Sequence, residues 1–169
     1  RDWGSTLTLI NKAIAAQGDN FGKAYYWRGM EYGDAGKNEA AIADFDKAIA
    51  QNKTFNTLNV KSGLLNAKGN TDEAGKVMNE AMAIATENEL NLYAYNLLNS
   101  GQQDKAIEIF VLNTKKHPES ANVWDSLGEA YALKGDKQNA ITNFKKSLSL
   151  NPPANVKANS EKYLKQLGA

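Results

Sequence analysis

Residues 121–154 read ANVWDSLGEAYALKGDKQNAITNFKKSLSLNPPA, and this stretch holds a complete helix–turn–helix signal. Trp124, Gly128 and Tyr131 fall at i, i+4 and i+7, so a large, a small and a large residue share one face of a first helix. Gly135 interrupts the pattern, and Ala140, Phe144 and Ser147 then give a second helix with the same kind of stripe. Pro152 ends it, because proline lacks an amide hydrogen and has a fixed φ. Small residues facing an aromatic let two helix backbones approach closely while the ring fills the remaining groove.

Upstream, the same signal recurs. Gly36, Gly69, Gly101 and Gly135 stand at almost equal intervals, and five positions after each comes Ala41, Ala74, Ala106 or Ala140. Tyr25, Leu58 and Leu90 stand in the place of Trp124. Gly29, Ser62 and Ala94 match Gly128, and Tyr32, Leu65 and Leu97 match Tyr131. On the second helices Phe45, Met78 and Phe110 match Phe144, and Ala48, Ala81 and Asn113 match Ser147. A period of about 34 residues is the signature of a stacked helix-pair repeat. Pro118 ends the third unit as Pro152 ends the fourth, whereas Lys53 and Thr86 hold that slot earlier, so other turn residues must act there. Asn38, Thr71 and Asp136 are expected to cap second helices and Ser120 a first helix; Asn56, Asn88 and Asn122 also read as caps.

These residues resemble the tetratricopeptide repeat family. Residues 121–154 carry its pattern in full, 87–120 keep Gly101, Ala106, Phe110 and Pro118, and 22–54 and 55–86 are looser. Arg28 and Lys61 stand where the family has an apolar residue, and their stems are expected to cover core while the charges reach water. In residues 1–21, Asn11-Lys12-Ala13-Ile14-Ala15 echoes Asp46-Lys47-Ala48-Ile49-Ala50, so this segment reads as the second helix of a half repeat. Residues 155–169 present Val156, Tyr163, Leu164 and Leu167 as the stripe of a capping helix. The resemblance implies an all-α fold, a right-handed α–α superhelix of about ten helices. It is expected to be one solenoid over 1–169, with four repeats between the half repeat and the cap. Trp124 is expected in the core, Trp3 at the open end of the first helix, and Trp27 partly buried between repeats.

Composition narrows the function. Net charge is +1, with 20 basic and 19 acidic residues, which speaks against a nucleic-acid footprint. No apolar run is long enough for a membrane span. The chain begins Arg1-Asp2-Trp3 without an initiator methionine, as expected of a processed product or a piece of a longer protein.

Catalytic signals are missing. There is no cysteine and one histidine, His117, at a helix end beside Lys115 and Lys116, where a ring suits the helix dipole. Ala35-Gly36-Lys37-Asn38 lacks the earlier glycine and the hydroxyl of a phosphate loop. Asp44 and Asp46 are two apart on a helix and diverge. We expect no enzyme, no cofactor and no metal.

What remains is a groove. First helices line the concave face in the resembled family, which places Tyr26 and Met30, then Asn59 and Asn66, then Asn91, Tyr95 and Asn99, then Asp125 and Glu129 toward a ligand. A side-chain amide both donates to and accepts from a peptide group, so such asparagines suit an extended chain. The expectation is a protein-interaction module for a peptide or protein segment, monomeric or weakly self-associating, with no nucleic acid. The alternative is an oligomerisation domain with an empty groove. Residues 55–65, 101–107 and 151–157 also resemble C-terminal repeat regions of exported bacterial proteins, which implies an accessory domain and a periplasmic or secreted location, with a cytoplasmic one as alternative.

Overall fold

The computed structural model describes residues 3–17 and 21–169. Among them lie ten helices and no strand: α1 (Trp3–Gln17), α2 (Gly22–Asp34), α3 (Asn38–Gln51), α4 (Phe55–Ala67), α5 (Thr71–Ile84), α6 (Glu87–Asn99), α7 (Gln103–Lys116), α8 (Ala121–Lys134), α9 (Lys137–Ser149) and α10 (Ala154–Leu167). The all-α, helix-pair class expected from the repeat period is therefore the fold class observed. The chain divides into two compact units, Arg1–Ala85 and Thr86–Ala169. In each unit consecutive helices pack as pairs, α2 on α3 and α4 on α5 in the first, α6 on α7 and α8 on α9 in the second.

The four periodic glycines make the turns inside the pairs. Gly36, Gly69, Gly101 and Gly135 all have φ between +72° and +85°, a region that costs any residue with a Cβ. The residue after each glycine donates its N–H back five positions, Lys37 to Tyr32, Asn70 to Leu65, Gln102 to Leu97 and Asp136 to Tyr131, at 2.8–2.9 Å. This is the Schellman closure of a helix C-terminus, and it satisfies carbonyls that would otherwise lack donors.

The small-against-aromatic packing is equally direct. A Cβ added to Gly128 would stand 2.8 Å from Phe144 Cε1, and one on Gly29 would stand 3.0 Å from Phe45 Cε1. Ala41, Ala74, Ala106 and Ala140 are fully buried, as are Phe45, Phe110 and Phe144. Where Ser62 replaces the glycine, its buried hydroxyl donates to the Ala74 carbonyl at 2.9 Å. Asn113 and Ser147, at matching positions, donate to the carbonyls of Glu87 (3.0 Å) and Ala121 (2.8 Å) and tie each second helix to the start of its first. Ala106→Leu should overpack the α6–α7 pair and cost about 1–3 kcal/mol in urea unfolding; a variant as stable as the parent would mean a different helix register.

Three expectations are corrected. Arg28 does not send its charge to water: it lies across Tyr25 and Tyr32 and makes two 2.7 Å bonds to the buried Asp44 carboxylate. Lys61, also largely covered, pairs with Asp46 at 2.6 Å. The two aspartates thus diverge as expected, each toward a cation on a first helix. Secondly, the hydroxyl caps of first helices are Thr54, accepting from Thr57 N–H, and Thr86, in a reciprocal capping box with Glu89. Asn56, Asn88 and Asn122 lie inside their helices, past the cap position. Asn38 and Thr71 make no cap bond, and Ser120 donates to Glu87 instead, while Asp136 caps α9 as expected. Thirdly, Trp27 is exposed, and Trp124 is only half-buried, with its indole N–H donating to the Pro118 carbonyl and Lys146 over its ring. The expectation for Trp3 concerns a side chain outside the described residues.

Candidate peptide-binding surfaces

In the second unit the register places equivalent residues of α6, α8 and α10 in two rows. Asn91, Asp125 and Asn159 form one, and Tyr95, Glu129 and Tyr163 the other, with one full repeat between neighbours in each row. Hydrogen bonds join the rows. Tyr95 OH donates to Glu129 Oε2 at 2.6 Å. Asn159 Nδ2 donates to Asp125 Oδ2 at 2.7 Å and Glu129 Oε1 at 2.6 Å, and Ser160 Oγ donates to Asp125 Oδ1. The network links three helices without supplying a cation to either carboxylate. Burial therefore pushes the Asp125 carboxyl above its ordinary range, more than the Ser160 and Asn159 donors pull it down, and nearby Glu129 adds to the rise. Burial and the Glu129 bond likewise push the Tyr95 phenol well up, keeping it a donor.

The expected residues of this unit differ in access. Asp125 is 6% exposed and engaged on both oxygens, so its part is to hold the network and its charge. Glu129, Tyr95 and Asn91 are half-buried, and Asn99 is exposed. The Asn91 amide oxygen is buried without a hydrogen-bond partner. Asn159 and Tyr163 complete the rows and escaped the sequence reading, which took α10 as a cap alone. The spacing that yields Asp125 and Glu129 would have yielded them too. Tyr163 also stacks on Phe144, 5.0 Å between centroids and 15° between planes, so one side chain serves core and surface.

In the first unit, Tyr26 lies edge-on to Trp27, with ring centroids 5.4 Å apart, and leans on Phe45 at 5.9 Å. It lines a shallow pocket of about 370 Å³ with Trp27, Ala48, Asn56 and Thr57. Met30 and Asn59 are half-buried and Asn66 is exposed. This face is aromatic and carries Lys23 at its pocket, where that of the second unit is acidic.

His117 closes α7 through its backbone N–H to Asn113, and among the described residues no three acidic, histidine or cysteine side chains gather to hold a metal ion. No described helix is long and apolar enough to cross a membrane.

Two segments, residues 22–55 and 121–154, match family models of the tetratricopeptide repeat. This is a tetratricopeptide-repeat chain. Its fold is that of the crystal structure of YrrB, a TPR protein with an unusual peptide-binding site: TM-score 0.52 and 20% identity, over 95% of this chain and 84% of that one. The C-terminal part of a TPR repeat-containing protein from Cytophaga hutchinsonii gives TM-score 0.51 and 20% identity, over 98% of this chain and 69% of that one. By sequence, 66 residues are 33% identical to cellulose synthase operon protein C of Escherichia coli K12; they are 39% of this chain and 5% of that protein. Another 55-residue match, 36% identical, is to superkiller complex protein 3 of Mus musculus, over 32% of this chain and 4% of that protein. The chain thus spans a small fraction of the curated relatives it matches. Tetratricopeptide repeats form protein-interaction scaffolds that are generally non-catalytic.

Proposed function

We propose that the chain is a non-catalytic module that captures a peptide or protein segment on the first-helix faces of its units, as an accessory domain of a larger protein. The observation that carries this reading is the pair of amide and phenol rows around Asp125 and Glu129. Two carboxylates without a cation, flanked by Asn91, Asn99 and Tyr95, suit an extended segment that brings backbone N–H groups and one basic side chain. YrrB's peptide-binding site supports the class of ligand. Tyr26 and Met30 add apolar contact in the first unit.

An array of short extended peptides, each with and without a central lysine, tests it. Glu129→Gln should weaken capture of the lysine-bearing set by about tenfold, equivalent to about 1.4 kcal/mol. Asn59→Ala with Asn91→Ala should weaken both sets and leave the melting temperature almost unchanged. Unaltered capture in both variants would remove the first-helix faces from consideration.

Acidification separates binding from folding. Asp125 takes up a proton at higher pH in the folded chain than an ordinary aspartate. Just above the usual aspartate range, the folded state therefore holds more protons than the unfolded one. The stability of the second unit rises as pH falls through that window. Affinity for a basic peptide falls in the same window, because the surface loses a negative charge. Titration calorimetry and urea unfolding over pH should move in opposite directions, and Asp125→Asn should flatten both.

A further inference from the structure

Between α1 and α2 lies an open, largely apolar groove of about 510 Å³, with Leu9, Ile10 and Ala13 on one wall and Lys23, Ala24, Trp27 and Glu31 on the other. Leu9 is 67% and Trp27 59% exposed, an unusual outlay of apolar surface. The repeat register says what belongs there. Thr6, Ile10 and Ala13 on α1 match Ala41, Phe45 and Ala48 on α3, the stripe that packs against the first helix of its own pair. Ala24, Trp27 and Glu31 on α2 match Val123, Ser126 and Ala130 on α8, all buried in the second unit, where α6 and α7 pack on α8. The first wall is thus a surface that a first helix covers elsewhere in this chain, and the second is one that α6 and α7 cover together.

Glu31 adds a chemical requirement. It is 9% exposed, and its Oε2 is buried without a hydrogen-bond partner. In α4 the matching residue is Leu64, which packs toward Gly33 of α2. A helix seated in the groove would therefore face Glu31 from the position that matches Gly33, and a carboxylate there calls for a cationic donor.

We infer that this groove seats one amphipathic helix from outside residues 1–169, bearing a large–small–large stripe at i, i+4 and i+7 and a basic side chain one residue beyond the last of these. The helix completes the half repeat of which α1 is the second helix. Its stripe meets Ile10 and Ala13, its flank covers Trp27, and its cation pairs with Glu31. The groove is separate from the amide and phenol rows of the second unit, so either proposal stands without the other.

The probe is a synthetic peptide of residues 121–134 carrying Lys in place of Ala132, compared with one carrying Leu there. Nuclear magnetic resonance of the Trp27 indole N–H, identified by its loss in Trp27→Phe, reports binding to the whole chain. The lysine peptide should bind about tenfold tighter than the leucine peptide, and Glu31→Gln should erase that preference with binding of the leucine peptide retained. Leu9→Asp should abolish both. Equal affinity of the two peptides, or no shift of the Trp27 signal at millimolar peptide, overturns the inference. So does a mass that doubles with concentration and returns to that of a monomer in Leu9→Asp, since the groove would then seat a second copy.

Discussion

Replacing Arg28 with alanine should destabilise the first unit by about 3 kcal/mol, the lower end for stripping one partner from a buried ion pair, since Asp44 is buried and Arg28 only partly so. Arg28 binds Asp44 through Nε and Nη2, both at 2.7 Å, and Asp44, on α3, is buried. Without the guanidinium, the carboxylate keeps its burial and loses its charge partner, and the faces of Tyr25 and Tyr32 lose the planar cation that covers them. The bond also raises the Arg28 pKa above its already high ordinary value, so the guanidinium stays charged across the whole accessible pH range. Arg28→Met with Asp44→Leu should recover most of the loss, because a matched apolar pair removes both desolvated charges. Hydrogen exchange along α2 and α3 measures the effect where it arises. A loss below about 1 kcal/mol in Arg28→Ala would mean that the pair is as weak as one on the surface.

Phe144→Ala should cost a comparable amount, about 3–5 kcal/mol, as a large-to-small change in a packed core. The ring is fully buried between Gly128 on one helix and Tyr163 on another, so its removal opens a space that backbone cannot collapse into. Gly128→Ala probes the same contact from the other side. Alanine gains about 1 kcal/mol of helix propensity over glycine. The added Cβ would lie 2.8–3.0 Å from three ring atoms, though, and overpacking of that kind costs about 1–3 kcal/mol. The net effect is expected to be destabilising. Gly128→Ala with Phe144→Leu should lie closer to the parent than the sum of the two single changes, and urea unfolding of the four proteins closes the cycle.

Much of this fold is legible because its determinants are local. A glycine that must adopt a positive φ, an alanine five positions on and an aromatic four beyond that all fall close together along the chain. Their recurrence in successive units raises the signal. Asn91, Tyr95, Asp125 and Glu129 were reached through the resemblance to the repeat family, whose first helices line the concave face. The surface rows were missed at Asn159 and Tyr163, where α10 lacks the large–small–large stripe that announces a first helix. Thr54 and Thr86 were passed over as caps because they lie at or beside a slot read for its missing proline. The Arg28–Asp44 pair could not be seen, since the two residues lie 16 positions apart on different helices.

The amino-acid sequence by itself determined the helix pairs, their turns and the small-against-aromatic seams, because each depends on side-chain size and backbone freedom at fixed spacing. Only the tertiary structure decided which charges are neutralised, which carboxylates stand without a cation, and that Trp27 and Leu9 lie bare. Those outcomes depend on which helix covers which face, and burial is a property of neighbours that spacing along the chain does not encode.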